Sequence, residues 1–261
     1  MKVENYETHK ADISADTFTF PYNPRVFDVQ LEKFLDQRDF AYAFTYYGLT
    51  DPLKSRQAFV LNGHMSGASK DTNYRSLKRH FGDNKLKKLY FGTNKFAIGF
   101  GQSIQRTHTG GRTNFIDYVA TFRSPFGILF GDTARSGGAT STTTNAGDTT
   151  TPFERITGSV TSGQLVTITD ADGNGFRFTA SATGTFTLRL IFLSTLGGED
   201  RFTEYWYGEI GGTQQTIRLV NNDKNLILTL EPGESPDDIF TGGTITNITP
   251  TFHWRDGFSG E

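Results

Sequence analysis

The sequence predicts a mainly β protein made of two domains. Aromatic residues and glycine are both abundant, with 24 Phe and 29 Gly among 261 residues, and large rings between glycine-rich turns suit stacked β-sheets better than helical bundles. Apolar and polar residues alternate along several segments, which is the pattern of half-buried strands. We expect an N-terminal β-sandwich or barrel-like domain with one helix and a long hairpin, and a C-terminal β-sandwich or jelly roll.

A stretch without large apolar residues divides the chain near its middle. It reads GDTARSGGATSTTTNAGDTTTP from Gly131 to Pro152 and contains no Val, Ile, Leu, Met or aromatic residue. Such a stretch cannot contribute to a core. We therefore predict a domain at 1–131, a linker at 132–152 and a second domain at 153–261.

The charge of the chain changes sign across this stretch. Residues 1–131 carry 18 Lys and Arg against 12 Asp and Glu, a net charge of +6, whereas residues 132–261 carry 8 and 16, a net charge of −8. Halves of opposite charge favour a protein that binds copies of itself or its neighbours over a solitary enzyme built around one cleft.

The composition excludes several classes of protein. A net charge of −2 gives the whole chain no general reason to bind nucleic acid or a membrane. The absence of cysteine excludes disulfides, thiolate zinc sites and cysteine nucleophiles. No apolar run approaches the length of about 18 residues that a transmembrane helix needs, and the start MKVENYETHK is too polar for a signal peptide.

Two strands are predicted early in the first half. The segment FAYAFTY at 40–46 alternates rings with smaller residues, which is typical of a half-buried strand. A second short strand is predicted over RQAFVL at 56–61, closed by Asn62 and Gly63.

One helix is predicted next. Its cap is Asp71 or Thr72, Gly82 follows its last turn, and its apolar face carries Leu77 and Phe81 together with Tyr74. Basic residues line the other face and extend beyond the helix: Arg75, Lys78, Arg79, Lys85, Lys87, Lys88 and Lys95.

Three interpretations of this basic stripe stay open: a solvated helix face, a subunit contact, or a nucleic-acid surface. No stacking aromatic residues are interleaved with the charges, which disfavours nucleic acid. The candidate interface residues are Arg75, Lys78, Arg79, Lys87, Lys88, Arg106 and Arg112.

A long hairpin is predicted after the helix, because apolar residues recur at even numbers in both arms: Phe96, Ile98, Phe100 and Ile104 in the first, and Ile116, Tyr118, Ala120 and Phe122 in the second. A two-residue turn would place Ile104 opposite Asp117. An odd loop such as 109–111 instead pairs Ile104 with Ile116 and Ile98 with Phe122. We therefore predict a loop of three or five residues, with a bulge. Arms this long can reach past their own domain.

The second half reads as a succession of short strands with no helix pattern, which predicts the β-sandwich. The predicted strands are 153–160, 164–169, 176–180, 185–193, 202–209, 214–220, 225–230 and 243–254. Asp170, Asp172 and Asn174 match the first half of a calcium loop, but Ser181 stands where the bidentate acid is needed, so we predict a hairpin turn.

Chemistry-bearing residues are sparse. The five histidines have no ligand spacing, and we expect no catalytic residue, metal or cofactor. Tyr205 and Tyr207 point to one side of a predicted strand and Trp206 to the other. The simpler interpretation places Trp206 in the core and the tyrosines on a half-exposed face, and the functional one makes them a surface that stacks on a sugar.

Three segments together suggest a family: LKRHFGDNKLKKLYFG at 77–92, FIDYVATFRSPFGILFGD at 115–132, and LILTLEPGESPD at 226–237. A β-rich first domain with one basic helix and a long hairpin, followed by a compact all-β domain, resembles the distal tail proteins of long-tailed bacteriophages. The whole chain shares this organisation, and the amino-acid sequence itself is similar over 75–130.

The resemblance implies a homo-oligomeric ring of six copies at the far end of a phage tail tube. The first domains would surround a lumen, and the second domains, galectin-like or carbohydrate-module-like, would project outward. It implies a virion protein that is made in the host cytoplasm and has the tail-tube protein and the tail-tip hub or baseplate proteins as partners. No sequence-specific nucleic acid, membrane insertion or catalytic residue is implied.

Two alternatives to this ring stay open. The chain can be a major tail-tube subunit with a decorative outer domain, and copy number separates a tube from a ring. It can also be a host-recognition module whose second domain binds a surface glycan through Tyr205 and Tyr207.

Overall fold

A computed structural model describes residues 1–6, 17–22, 24–32, 56–83, 85–107, 114–124, 126–189, 192–196, 199–204, 207–220 and 228–259. The chain divides into two compact units. The first comprises Met1–Asp132, Ser194–Arg201 and Ser259–Glu261, and the second comprises Thr133–Leu193 and Phe202–Phe258. The predicted mainly β architecture is confirmed, and the strand predicted at 40–46 lies outside the described residues.

The first unit is built from strands around one long helix. Its elements are β1 (Lys2–Asn5), β2 (Thr17–Thr19), β3 (Arg25–Glu32), β4 (Arg56–Ser66), α1 (Lys70–Gly82), β5 (Lys87–Phe91), β6 (Lys95–Thr107), β7 (Phe115–Ser124) and the start of β8 (Ile128–Gly137).

The strands pair in the order β3-β4-β7-β6-β5-β1-β2, and all these pairs are antiparallel. The residues of β7 alternate between buried and half-exposed, with Ile116, Tyr118, Ala120 and Phe122 buried. This confirms the alternation predicted for the second arm of the hairpin, because only one face of the sheet meets the core.

The register of the hairpin differs from the prediction. Ile104 lies opposite Ala120, not opposite Ile116, and the predicted bulge occurs between Gly101 and Ser103. The reason is that β7 pairs along its whole length with β4, where Met65 lies opposite Ile116. β4 consequently runs on to Ser66 and does not end at 62–63 as predicted.

The helix α1 forms in the predicted segment but with other ends: its N-cap is Ser69 and not Asp71 or Thr72, and Gly82 is its last residue and does not follow the last turn. It buries Leu77, His80 and Phe81 and packs against β6, β7, β4 and β2. The ring of Phe81 lies 6.4 Å from that of Phe122 on β7. The apolar face of the helix therefore closes the core of the first unit.

The second unit contains the end of β8 and the remaining elements. These are β9 (Thr151–Val160), β10 (Leu165–Thr169), β11 (Gly175–Thr179), β12 (Gly184–Arg189), β13 (Phe192–Leu196), β14 (Glu199–Glu204), β15 (Tyr207–Ile210), β16 (Thr213–Gln214), β17 (Arg218–Val220), β18 (Thr229–Leu230), α2 (Pro236–Phe240), β19 (Thr244–Thr246) and β20 (Thr251–Ser259). β13 pairs with β14 as a separate two-stranded sheet, part of which is grouped with the first unit.

Two sheets form the sandwich of the second unit. One has the order β16-β15-β12-β9-β20-β8 and the other the order β17-β11-β10-β19. Their inner faces share one apolar core, in which Phe178 of β11 stacks on Phe186 of β12 with ring centroids 4.2 Å apart. The predicted sandwich is confirmed, although four of the predicted strands are each broken into two and the helix α2 was not predicted.

Hydrogen bonds hold the segment that the sequence predicts as a linker. Residues 133–152 belong to the second unit. The fully buried Asn145 donates from Nδ2 to the carbonyls of Thr149 (2.9 Å) and Leu230 (3.2 Å). Its Oδ1 accepts from the backbone N–H groups of Gly147 (3.0 Å) and Gly257 (3.2 Å). Four hydrogen bonds from one buried amide side chain thus anchor this segment, which has no large apolar side chains of its own to bury.

Asp256 ties the same segment to β20. Its Oδ1 accepts from the backbone N–H of Ala146 at 2.9 Å, and its Oδ2 accepts from Nη2 of Arg135 at 2.7 Å. Arg135 lies in the part of β8 that belongs to the second unit.

Candidate functional site

The strongest candidate for a functional surface is the outside of the first unit, where the predicted interface residues divide into two groups. Arg75, Lys78 and Arg79 are exposed on the face of α1 that is opposite its buried residues. In the described part of the chain neither Arg75 nor Lys78 forms an ion pair. Among the described residues, Arg75 and Lys78 can therefore meet an acidic partner without first breaking an ion pair.

Lys87 and Lys88 are corrections to the predicted set, because both are buried within the first unit. The ammonium of Lys87 lies 2.5 Å from Oδ2 of Asp83, which is four residues earlier in the chain. Lys88 lies 4.0 Å from Oε1 of Glu4 and 5.0 Å from the ring centroid of Phe96. Both charges are satisfied internally and neither is available to a partner.

Glu4 is the centre of a half-buried polar network beside Lys88. Its Oε1 accepts from the hydroxyl of Tyr90 at 2.6 Å, and its Oε2 accepts from Nζ of Lys2 at 3.0 Å. Burial opposes ionisation of Glu4, but these hydrogen bonds and the charges of Lys2 and Lys88 outweigh it and lower its pKa. The network keeps β1 beside β5.

Tyr90 also lies 3.1 Å from Oδ1 of Asp132. Burial, followed by the hydrogen bond to Glu4 and the nearby carboxylates, raises the pKa of Tyr90 far above its ordinary value. Tyr90 is therefore a fixed hydrogen-bond donor and not an acid or nucleophile.

Two long strand edges border the sheet β3-β4-β7-β6. Within the described residues, β3 pairs only with β4, and the outer half of β6, Gly101–Thr107, pairs only with β7. Each edge is about seven or eight residues long, against about five or six for a typical strand. An edge of this length that no described strand covers is a template for a further strand.

Arg106 lies on the outer half of β6, where it is exposed and opposite Tyr118. Arg112 lies outside the described residues. Arg106 is therefore the one predicted residue that the described structure places on a strand edge.

An aromatic cluster near the end of β4 was not predicted from the sequence. Tyr22, which is 47% exposed, stacks on His64 with ring centroids 4.7 Å apart. The hydroxyl of Ser66 donates to that of Tyr22 at 3.0 Å, and Phe115, which is 42% exposed, lies opposite Ser66. The exposure of Tyr22 and Phe115 depends on the packing of the unit, so no local sequence pattern could have indicated it.

The predicted glycan face is described only in part. Tyr207 is half-buried on β15 and lies opposite Arg189 on β12, whereas Tyr205 and Trp206 lie outside the described residues.

The calcium-like loop is a hairpin turn between β10 and β11. The carboxylate of Asp170 accepts from the backbone N–H of Asn174 at 2.8 Å and from its side-chain amide at 3.2 Å. The carboxylate thus stabilises its own turn. Over the ranges that the structure describes, no cluster of three or more potential metal ligands occurs.

Among the described residues, neither helix has the length and apolarity that crossing a membrane requires. No protein-family model matches the sequence. No curated protein matches it either. Among solved structures, the chain is similar to the crystal structure of the Dit protein of phage SPP1, described as a paradigm of the hub adsorption apparatus in phages that infect Gram-positive bacteria; the identity is 10%, 90% of each chain is covered and the TM-score is 0.38.

Proposed function

We propose that this chain is a structural protein of a phage virion that assembles into a ring, of six copies, at the distal end of the tail. There it joins the tail tube to the tail-tip hub or baseplate proteins. The observation that carries the proposal is the pair of long edges, β3 and the outer half of β6, on one sheet. The resemblance to distal tail proteins, which covers the organisation of the whole chain and the sequence over 75–130, is the reason for placing the protein in a phage tail.

The directions of the strands suit a ring. Each of β3, β4, β7 and β6 is antiparallel to the next, so β3 and β6 run in opposite directions. When copies are related by rotation about one axis, the β6 edge of one copy meets the β3 edge of the next as an antiparallel pair. Head-to-tail contacts of this kind close into rings and leave no edge exposed.

Charge supports contact between copies as well. Residues 1–131 carry a net charge of +6 and residues 132–261 a net charge of −8. Opposite potentials steer copies together and disfavour wrong orientations. A role in catalysis has no comparable support in the described residues.

Native mass spectrometry and negative-stain imaging of the purified full chain test this proposal. We expect a closed particle of about six copies, the number that the resemblance implies. Open filaments would indicate the tail-tube role instead, and a monomer at high protein concentration would refute both.

Two proline variants, Gln105→Pro and Arg106→Pro, test the β6 edge directly. Successive N–H groups of a strand point to opposite edges, so one proline removes a donor from the free edge and the other removes one from the β7 ladder. The variant whose proline lies at the free edge should keep the unfolding midpoint and lose assembly. The variant whose proline interrupts the β7 ladder should have a lower midpoint. Assembly that survives in a folded free-edge variant would refute a ring built through β6.

A further inference from the structure

Two positive charges lie side by side on the outer face of α1. Arg75 and Lys78 are exposed, and their spacing of three residues puts them on the same side of the helix. Asp71, the acid in the first turn, is ion-paired with Lys70 at 3.5 Å. Among the described residues no carboxylate forms an ion pair with Arg75 or Lys78, so both charges are left for a partner beyond those residues.

Negative charge is concentrated in the second unit, after β18. Residues 225–254 contain no Lys or Arg and four acidic residues, all of which lie at 231–238. Glu231 and Asp238 are exposed, and Glu234 and Asp237 are half-exposed. None of the four forms an ion pair within the part of the chain that the structure describes. This acidic segment (231–238) is therefore the counterpart of the outer face of α1 in charge and in exposure.

Hydrogen bonds hold the acidic segment in position. Oε2 of Glu234 accepts from the backbone N–H of Glu231 at 2.8 Å, and the carbonyl of Glu234 accepts from the backbone N–H of the buried Asn145 at 2.8 Å. The hydroxyl of Ser235, together with its backbone N–H, lowers the pKa of Asp238, so this carboxylate is charged at neutral pH. Carboxylates that are already ordered lose little side-chain entropy when a cation binds them.

We propose that the outer face of α1 of one copy binds the acidic segment of the neighbouring copy in the ring. This inference rests on the proposed ring and names two surfaces by which its copies meet. Charge complementarity favours a second copy as the partner, because every copy supplies one surface of each sign and a closed ring leaves neither unpaired. The contact joins two different surfaces, as head-to-tail rings require, and its charges serve orientation and the rate of association.

Charge reversal of each surface tests the contact. One variant carries Arg75→Glu with Lys78→Glu. The other carries Glu231→Lys with Asp237→Lys and keeps the other two carboxylates of the segment with their hydrogen bonds. Sedimentation velocity at pH 7 and low salt, where screening is weak, gives the protein concentration at which half of the copies are assembled. We expect each variant to raise this concentration at least about tenfold over wild type, because repulsion replaces attraction.

Mixing the two variants shows whether the contact joins separate chains. In a ring of alternating copies the reversed helix of one variant meets the reversed acidic segment of the other, and the two unreversed surfaces meet each other. We expect the equimolar mixture to assemble at a concentration within about threefold of wild type. A chain that carries both reversals should assemble as well as the mixture. Rescue in that chain without rescue on mixing would place the contact within one chain and overturn the proposal.

Arg177→Glu with Arg218→Glu is the matched control for the helix variant, because it makes the same charge change at exposed positions of the second unit. It should leave the half-assembly concentration within about twofold of wild type, the scatter expected of a surface change outside the contact. An equal loss of assembly in the control would mean that only net charge matters and would overturn the assignment.

The wild-type chain separates failure of this contact from failure of the ring. If wild type does not assemble, the proposed function is itself refuted. If wild type assembles and either reversed variant assembles at the same concentration, the ring stands and this contact is refuted. A variant with a lowered unfolding midpoint is judged by the mixture, because mixing restores complementary charges but does not repair a destabilised fold.

Discussion

Gly63 of β4 lies directly opposite Tyr118 of β7, and the tyrosine ring fills the space that a side chain at position 63 would need. A Cβ atom added at Gly63 would lie 2.8 Å from Cε1 of Tyr118 and closer still to its Cζ and Oη. Tyr118 is only 2% exposed, so its ring has little room to move. This glycine is required by packing and not by a turn.

Gly63→Ala is therefore expected to lower the free energy of unfolding by about 2 kcal/mol, the usual cost of overpacking a core. Gly82→Ala is the control, because a Cβ there meets nothing within 4 Å and alanine favours the helix. Urea denaturation of both variants measures the difference. A Gly63→Ala protein as stable as wild type would show that the Tyr118 ring can move aside.

The Lys87–Asp83 pair should respond asymmetrically to mutation. The side chain of Lys87 is fully buried, whereas that of Asp83 is 25% exposed. Asp83→Asn removes the carboxylate partner of a buried ammonium and is expected to cost about 3 kcal/mol. Lys87→Met leaves behind a carboxylate that water can reach and should cost clearly less.

Chemical denaturation of the two single variants and the double variant measures this asymmetry. Lys85→Met, at a half-exposed neighbouring lysine, is the control for loss of charge alone. Equal costs for Asp83→Asn and Lys87→Met would contradict the burial argument.

Asn145 should be the most sensitive polar position of the segment at 133–152. Asn145→Ala leaves two carbonyls and two N–H groups without their side-chain partner, one of each kind at a buried residue (Leu230, Gly257) and one at a half-buried residue (Thr149, Gly147). We expect a loss of about 2–4 kcal/mol, since each unsatisfied buried group costs about 1–3 kcal/mol and relaxation recovers part of it.

The control for Asn145→Ala is Thr142→Ala, at an exposed position of the same segment, which should change stability by less than about 0.5 kcal/mol. Thermal unfolding of the two variants provides the measurement. If the two variants prove equally stable, the amide network does not hold this segment.

The second unit should lose stability as the pH falls from about 6.5 to about 4. The pKa of His253 in the folded chain is about 4, below the value of about 6.5 of an unfolded histidine, so the unfolded state takes up the proton first. The stabilisation is complete above pH 6.5 and is lost by pH 4. The pKa difference corresponds to about 3 kcal/mol, which solvent screening of a half-buried ring reduces to about 1–2 kcal/mol.

Denaturant titrations at several pH values measure this loss. His253→Gln should flatten the decline between pH 6.5 and 4, because glutamine does not titrate but can still accept from Arg155. His64→Gln, at an exposed histidine, should leave it unchanged. A decline of equal slope in both variants would assign the pH dependence to other groups.

The basic face of α1 should matter for assembly but not for folding. Arg75→Glu with Lys78→Glu reverses two exposed charges that have no ion-pair partner among the described residues. Under the ring proposal, light scattering should show a smaller assembled fraction and a changed dependence on salt.

Arg177→Glu with Arg218→Glu makes an equal charge change at two exposed positions of the second unit and is the control. The unfolding midpoint of the helix variant should match that of wild type. Unaltered assembly would restore the simplest interpretation, that the helix face is merely solvated.

The sequence predicts local periodicity well and pairing between distant strands poorly. The even-numbered apolar residues of β7 are buried as expected, because a period of two needs only one covered face. The predicted partner of Ile104 was wrong, because β7 also pairs along its whole length with β4. The apolar pattern of two hairpin arms holds no information about a third strand.

Lys87 and Lys88 show a second limit. A run of lysines predicts a solvated face, yet Glu4, 84 residues from Lys88, lies close enough to compensate its charge. One local signal was available: both lysines are flanked by apolar residues in the segment LKKLYF at 86–91, and apolar flanks of this kind are typical of a short buried strand.

The helix α2 was predictable from its first turn. Ser235 precedes Pro236 at the first helical position, and the carboxylate of Asp238 accepts from the backbone N–H of Ser235 at 2.8 Å. Serine, proline and an acid at this spacing are a helix start signal. The helix has only five residues, too few for a recognisable apolar period, so only its cap could have indicated it.

The two edges of the first unit are different strands, and this has a genetic consequence under the ring proposal. A subunit whose β3 is blocked but whose β6 is intact would join one neighbour and then offer nothing to the next. Such a subunit would stop the growth of a ring that it joins. It would therefore prevent normal copies from assembling when both are expressed together. An allele of this kind would be dominant, whereas one that merely unfolds the chain would be recessive.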